Sequence, residues 1–187
     1  MSYEMNSINL EKLKTGDQTA WESLILEHQD RMVNYLFHLE GSYTDALDLT
    51  QETFFRAWKG IKTFKVNEDF LPWLYAIARN CQIEKHRRKH HSQFSIEEAN
   101  ESGFEPAAFT DGPQAVAEYN ENAERVRVAL LELPEEYRSA VILRFMDELS
   151  YEEIAIAQSC AVGTAKSRVF RGKELLAGLL EGKVMVE

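Results

Sequence analysis

The stretch Ser150 to Lys173, SYEEIAIAQSCAVGTAKSRVFRGK, brings together residue types that can read nucleic acid. Ser150 with Glu153 three residues on is a capping box, and it starts a helix carrying Ile154 and Ala155. The short turn Ser159-Cys160-Ala161 follows. The next helix sets Val162, Ala165, Val169 and Leu176 on one stripe and offers Thr164, Lys166, Ser167, Arg168, Arg171 and Lys173 on its other side. Positions 163–173 hold four Lys or Arg and no acid, net +4, in a chain of net charge −10. A local cation excess of this kind neutralises phosphates, while short polar side chains beside it reach base edges. The pair of helices reads as a helix-turn-helix whose second helix enters a groove. An amphipathic surface helix with a solvated basic face fits the same pattern, and this stretch alone leaves both open.

The charge of the rest of the chain is segregated. Residues 1–78 carry 7 Lys or Arg against 12 Asp or Glu, net −5, and residues 79–91, RNCQIEKHRRKHH, carry 5 against 1, net +4. Residues 92–124 carry 8 acids and no Lys or Arg, net −8. A generally basic nucleic-acid binder is excluded, so any contact with DNA must come from local patches. An apolar fraction of 44% over 187 residues supports folded cores in one domain or two small ones. There is no apolar run of the roughly 18 residues that would suggest a membrane span, and MSYEMNSINLEK does not read as a signal peptide. Cys81 and Cys160 lie far apart with no CxxC pair, which fits a reducing cytosol without a disulfide frame or zinc site. His86, His90 and His91 lack companion ligands and read as part of a basic tail, not as a metal centre. No phosphate-cradling glycine loop, nucleophile elbow or ordered carboxylate pair is present, so no enzyme active site and no cofactor are expected.

The elements that must position these patches are helical. Asp17 caps a helix with Trp21, Leu24, Ile25, Met32, Leu36 and Leu39 at 3–4 spacing, ended by Gly41. A second runs from Thr44 to Trp58 or Ile61, with Leu47, Phe54, Trp58 and Ile61 inward. A third starts near Phe70-Leu71-Pro72-Trp73, with proline suited to a first turn, and runs into the basic cluster. Residues 92–112 are acidic and hold Pro and Gly breakers, which predicts a flexible linker. Helices resume after Pro113, break at Leu133-Pro134, restart with Glu135 and Glu136, and lead into the helix-turn-helix. The expected fold is all-α: two small helical domains, 1–91 and 113–187, joined by the acidic linker 92–112.

Four segments occur in one order: DALDLTQETFFRAW, FLPWLYAIARNCQIEKHRR, LPEEYRSAVILRFMDELSYEEIA and VGTAKSRVFRGKELL. Together they resemble the extracytoplasmic-function sigma factors of bacterial RNA polymerase, over residues 10–182. The resemblance implies a sigma region 2 domain that binds core RNA polymerase and melts the −10 element, and a region 4 helix-turn-helix that reads the −35 duplex. It implies core contacts at Asp48, Gln51, Glu52 and Phe55, which share one helical face with Gln51 at its edge. The segment Lys62–Asp69 matches the family's loop for an extruded −10 base, with Asn67 and the backbone as hydrogen-bonding groups and Phe64 or Phe70 as stacking wall; a plain polar loop with two core phenylalanines fits the same residues. Arg79, Asn80, Lys85, Arg87 and Arg88 are implied on the non-template strand and its phosphates, with Tyr75 as a further stacking candidate. Thr164, Lys166, Ser167, Arg168, Arg171 and Lys173 are implied at the −35 element.

The implied partners are core RNA polymerase, promoter DNA and an anti-sigma factor, in the cytoplasm, with no membrane insertion and no small-molecule substrate. The resemblance implies an acidic linker that threads toward cationic polymerase channels and imitates RNA there; a solvated tether that its charge keeps extended is the alternative. Leu47 stands where the family usually has an acid, Ala161 where it usually caps the recognition helix, and Gln158 and Ala165 where larger apolar residues are common. The last two predict thinner packing between the two helices. A sigma-like decoy that sequesters an anti-sigma factor, or a one-component helix-turn-helix repressor, are the alternatives. The two basic clusters disfavour the first, and the 48–58 motif disfavours the second.

Overall fold

Residue spacing and end caps account for the helices one by one. The computed structural model describes residues 7–65, 69–92 and 113–182, and the linker expectation lies outside them. Helix α1 (Ser7–Thr15) packs Leu10 and Leu13 inward. Helix α2 (Gln18–Glu40) begins where Asp17 accepts the Ala20 N–H at 2.9 Å, and it ends where Gly41 takes φ 77°, the left-handed conformation that glycine adopts without strain. Its buried stripe is Trp21, Leu24, His28, Met32, Tyr35, Leu36 and Leu39. Helix α3 (Tyr43–Gly60) is capped by Ser42 and leads through a 3₁₀ turn at Ile61–Thr63. Helix α4 (Phe70–Ser92) carries Leu74, Tyr75, Ala78 and Cys81 into the core against α3.

Helices α5 (Pro113–Glu132) and α6 (Glu135–Phe145) meet at Leu133-Pro134. Helix α7 (Tyr151–Ala157) opens with the full capping box, and α8 (Val162–Leu180) follows a turn in which Ser159 has φ 51°. The described residues are all-helical apart from turns, as the periodicity implied. Among them no helix is long and apolar enough to cross a membrane.

The stripe Ala165, Val169 and Gly172 seats α8 on α6. A β-carbon on Gly172 would lie 2.6 Å from Val141 Cγ2 and 3.0 Å from the Tyr137 carbonyl oxygen, so the helices approach at backbone distance. Solvent does not reach the two positions, Gln158 and Ala165, where looser packing is expected. Ala165 is fully buried, and buried Gln158 fills its site with hydrogen bonds, donating to the Glu136 carbonyl at 3.0 Å.

The two halves of the chain pack on each other, α2 against α5 and α6, and α4 against α7. Tyr35 and Ser139 hydroxyls meet at 2.9 Å in the buried interface, and Arg138 donates to the carbonyls of Leu39, Leu131 and Leu133. Asp147, in the turn after α6, is held 3.9 Å from Arg31 with its side chain only 7% exposed. Burial pushes its carboxyl up to about 6, against the opposing pull of the nearby Tyr75 hydroxyl and Arg31. The folded carboxyl therefore holds its proton to higher pH than the unfolded one. Its favourable contribution is complete below about pH 4 and is lost as pH rises through about 6. Asp147→Asn should raise stability at pH 7 by about 1 kcal/mol and flatten the pH dependence of unfolding between pH 4 and 6. Chemical denaturation at pH 4.5 and 7 checks both statements, and equal pH slopes in variant and wild type would refute them.

Candidate functional site

Three surfaces carry the residues singled out above. The first is an open groove of ≈1540 Å³ between α2 and α3, walled by Ile25, Phe37, Leu47, Phe55 and Trp58, with Met146 also lining it. Phe55 is 48% and Trp58 53% exposed, their rings 6.3 Å apart and nearly parallel, with Lys59 Nζ 4.0 Å above the Phe55 ring. Gln51 lines the groove, and Asp48 is exposed on the flank of the same helix. Glu52 is not a free carboxylate. It accepts from Arg56 Nε at 2.6 Å, and Arg56 also donates to Glu84 of α4 at 2.9 Å. Phe54 is core as its spacing implied, but Leu47 and Trp58, expected inward, face solvent. Exposed aromatic and aliphatic side chains beside acids form the kind of anchor on which partner helices dock.

The second surface is the α4 face and the loop before it. Phe64 and Phe70 do not form a stacking wall for a base: both are buried, packed with Trp73 at centroid distances of 4.9 and 5.5 Å. Tyr75 is also fully buried and cannot stack on a base. Asn67 lies outside the described residues. Arg79 is engaged, donating through Nε and Nη2 to both oxygens of Glu135, each at 3.0 Å. Lys85 is engaged too, its Nζ 2.6 Å from Asp45, and His86 meets Glu40 at 2.8 Å. Distant acids, invisible in local sequence, take up these cations. Asn80, Arg87 and Arg88 are exposed, and Arg88 reaches Glu84 only at 3.7 Å.

The third surface is α8. Thr164, Lys166, Ser167, Arg171 and Lys173 are exposed, and with them Phe170 at 63%. Arg168 differs: its side chain is 19% exposed, and it donates to Gln158 Oε1 at 3.1 Å and to Glu136 Oε2 at 2.8 Å. It is therefore turned back onto the protein. Phe170 was missed because apolar residues in a helix are ordinarily assigned to its buried stripe. Its position one residue beyond Val169 takes it off that stripe, a signal the spacing did contain. Ala161 gives α8 no side-chain cap.

A capped first helix, a tight turn and an outward basic second helix define a DNA-reading helix-turn-helix transcription factor. Residues 24–92 match Sigma-70 region 2, and residues 123–176 match Sigma-70, region 4. The chain is 32% identical to the ECF RNA polymerase sigma factor SigW of Bacillus subtilis, over 89% of this chain and 92% of that one. It is also 32% identical to the ECF RNA polymerase sigma-E factor of Escherichia coli, over 91% and 92% of the respective chains. Among solved structures it resembles the sigma factor RpoE of Bartonella quintana in complex with the anti-sigma factor NepR. The TM-score there is 0.71 and the identity 28%, covering 86% of this chain and 96% of that one. The chain belongs to the extracytoplasmic-function family of RNA polymerase sigma factors, promoter-directing transcription initiation factors.

Proposed function

We propose that residues 1–91 act as a region 2 domain that docks on core RNA polymerase and opens the −10 element, and residues 113–187 as a region 4 domain that reads the −35 duplex. The observation that carries the docking half is the groove walled by Leu47, Phe55 and Trp58 with Asp48 on its flank. Its apolar floor fits the non-polar side of a partner helix, and the carboxylate fits arginines beside it. The factor does no covalent chemistry of its own and works in the cytoplasm, where transcription takes place. An anti-sigma factor is a further expected partner, as the Bartonella relative was solved with one.

On α8, Thr164, Lys166, Ser167, Arg171 and Lys173 contact phosphates and base edges, and Phe170 packs on a thymine methyl. Arg171→Ala should lower promoter affinity of the holoenzyme by about 1 kcal/mol and reduce its salt dependence. Replacing the contacted thymine by deoxyuridine removes one methyl group. It should cost about 0.8 kcal/mol in the wild type and nothing further in Phe170→Ala. Deoxyuridine scanning of a −35 duplex by fluorescence anisotropy tests this, and a scan with no sensitive position would remove Phe170 from the interface. Transcription in vitro with purified core polymerase tests the whole reading. A chain that binds core but directs no initiation would instead be a sigma-like decoy.

A further inference from the structure

Arg168 sits within the outward face of α8 and is nevertheless turned back onto the protein. Thr164 and Arg171, one turn to either side of it, are exposed, whereas the Arg168 side chain is only 19% exposed. Its guanidinium donates to Gln158 Oε1 at 3.1 Å and to Glu136 Oε2 at 2.8 Å, and Gln158 donates in turn to the Glu136 carbonyl at 3.0 Å. Three helices thereby meet in one hydrogen-bonded corner. Glu136 lies in the first turn of α6, Gln158 caps the end of α7, and Arg168 belongs to α8. We propose that Arg168 is a positioning residue for promoter reading, which fixes the roll of α8 on α6 and α7 and makes no contact with DNA. This role presupposes that α8 is the DNA-contacting helix, and it adds what sets that helix's register.

The other contacts of α8 leave its roll free. Ala161 gives the start of the helix no side-chain cap, and the stripe Ala165, Val169 and Gly172 packs through apolar contacts that have no preferred direction. Gly172 sets how closely α8 approaches α6, which fixes a distance and not an angle. Side-chain tips lie about 5–6 Å from a helix axis, so a roll of about 20° carries them about 2 Å. A recognition site holds its geometry only within about 0.5 Å. A planar guanidinium held by two acceptors is directional where apolar contact is not. Glu136 also suits the positive end of α6, which keeps its carboxylate where Arg168 meets it. A phosphate contact and a brace differ in their signatures. Losing a phosphate contact weakens binding to all DNA and lowers its salt dependence, whereas losing the brace weakens the correct site and spares an incorrect one.

The test uses holoenzymes assembled from core polymerase and the full chain, with two fluorescent promoter fragments. One is selected by the wild-type holoenzyme, and the other has its −35 bases replaced. Arg168→Met should bind the selected fragment about tenfold more weakly, bind the altered one within about twofold of wild type, and keep the wild-type salt slope. Arg171→Ala is the contrast, weakening both and lowering the slope by about 1. Glu136→Ala leaves Arg168 in place but frees it, and should lose discrimination as Arg168→Met does. The double variant should lose no more than either single one. Val169→Ala costs stability on the same seat with the corner intact, and should keep the ratio of the two affinities. Equal weakening of both fragments by Arg168→Met with a lowered slope would make Arg168 a phosphate contact and overturn the brace. Tighter binding or unchanged discrimination in Glu136→Ala would overturn it too, as would a loss in Val169→Ala as large as in Arg168→Met. Wild-type binding by both Arg171→Ala and Phe170→Ala would remove α8 from DNA and the brace with it. Weaker binding by those two beside wild-type discrimination in Arg168→Met would remove the brace alone.

Discussion

Alanine at Trp58 should weaken binding to core RNA polymerase by about 2 kcal/mol or more, roughly thirtyfold, and leave the fold within about 0.5 kcal/mol of wild type. The asymmetry follows from where the ring stands. It is half exposed, packs on Phe55, and contributes a wall of the groove without entering the core. A large aromatic that is bare in the free chain loses most by truncation when a partner covers it. Phe55→Ala should act in the same direction. Phe54→Ala, one residue away but buried, should instead unfold the chain by about 3–5 kcal/mol and so marks the boundary between core and surface. Asp48→Ala should cost less than Trp58→Ala, since exposed charges at a rim mainly affect association rate. Titration of fluorescently labelled chain with core enzyme measures the Trp58, Phe55 and Asp48 variants, and chemical denaturation measures Phe54→Ala and the fold of Trp58→Ala. Wild-type affinity in both Trp58→Ala and Phe55→Ala would move the docking surface elsewhere.

A single methyl at Gly172 should destabilise the second half of the chain by about 2 kcal/mol. Helix propensity alone argues the other way, favouring alanine by about 1 kcal/mol. The contact decides the sign. The added carbon would sit 2.6 Å from a methyl of buried Val141 and 3.0 Å from a backbone carbonyl oxygen, and the second neighbour cannot yield without moving α6. Overpacking of this kind costs about 1–3 kcal/mol beyond the propensity gain. The Val141→Ala background removes one of the two clashes. Gly172→Ala should therefore be better tolerated there than in wild type, a positive coupling that thermal denaturation of the four-member cycle reads directly. Additive effects would show that the helices separate freely at this crossing.

Much of the architecture was legible because local rules govern it. Asp17, Gly41 and Ser150 with Glu153 mark helix ends through hydrogen bonds made within a few residues, Pro134 does so through its fixed φ and missing N–H, and the structure places the ends there. The Trp21 to Leu39 stripe is buried as its 3–4 spacing implies. Trp58 and Leu47 misled because an apolar stripe awaiting a partner has the same period as one facing a core. Phe64 and Phe70 misled for the opposite reason: aromatics in a polar loop can close on a third, here Trp73. The cations were legible as charge but not as availability. The acids that occupy Arg79 and Arg168 lie 56 and 32 residues away, and only the folded chain brings them together. Gln158 belongs with these. A polar residue in an apolar position looked like a packing defect until its amide was seen tying Glu136 to Arg168.

The three tryptophans also give the chain a built-in optical reporter. Trp21 is buried, with its indole N–H donating to the Leu13 carbonyl, and Trp73 is half-buried among phenylalanines, whereas Trp58 stands 53% exposed beside the docking groove. The long-wavelength part of the intrinsic emission therefore belongs chiefly to Trp58, and covering the groove would shift that part toward the blue while the signal of the other two indoles stays in place. Quenching by acrylamide would likewise fall mainly on one residue. Occupancy of the face that meets a partner helix is thus written into the protein's own fluorescence, with no label attached.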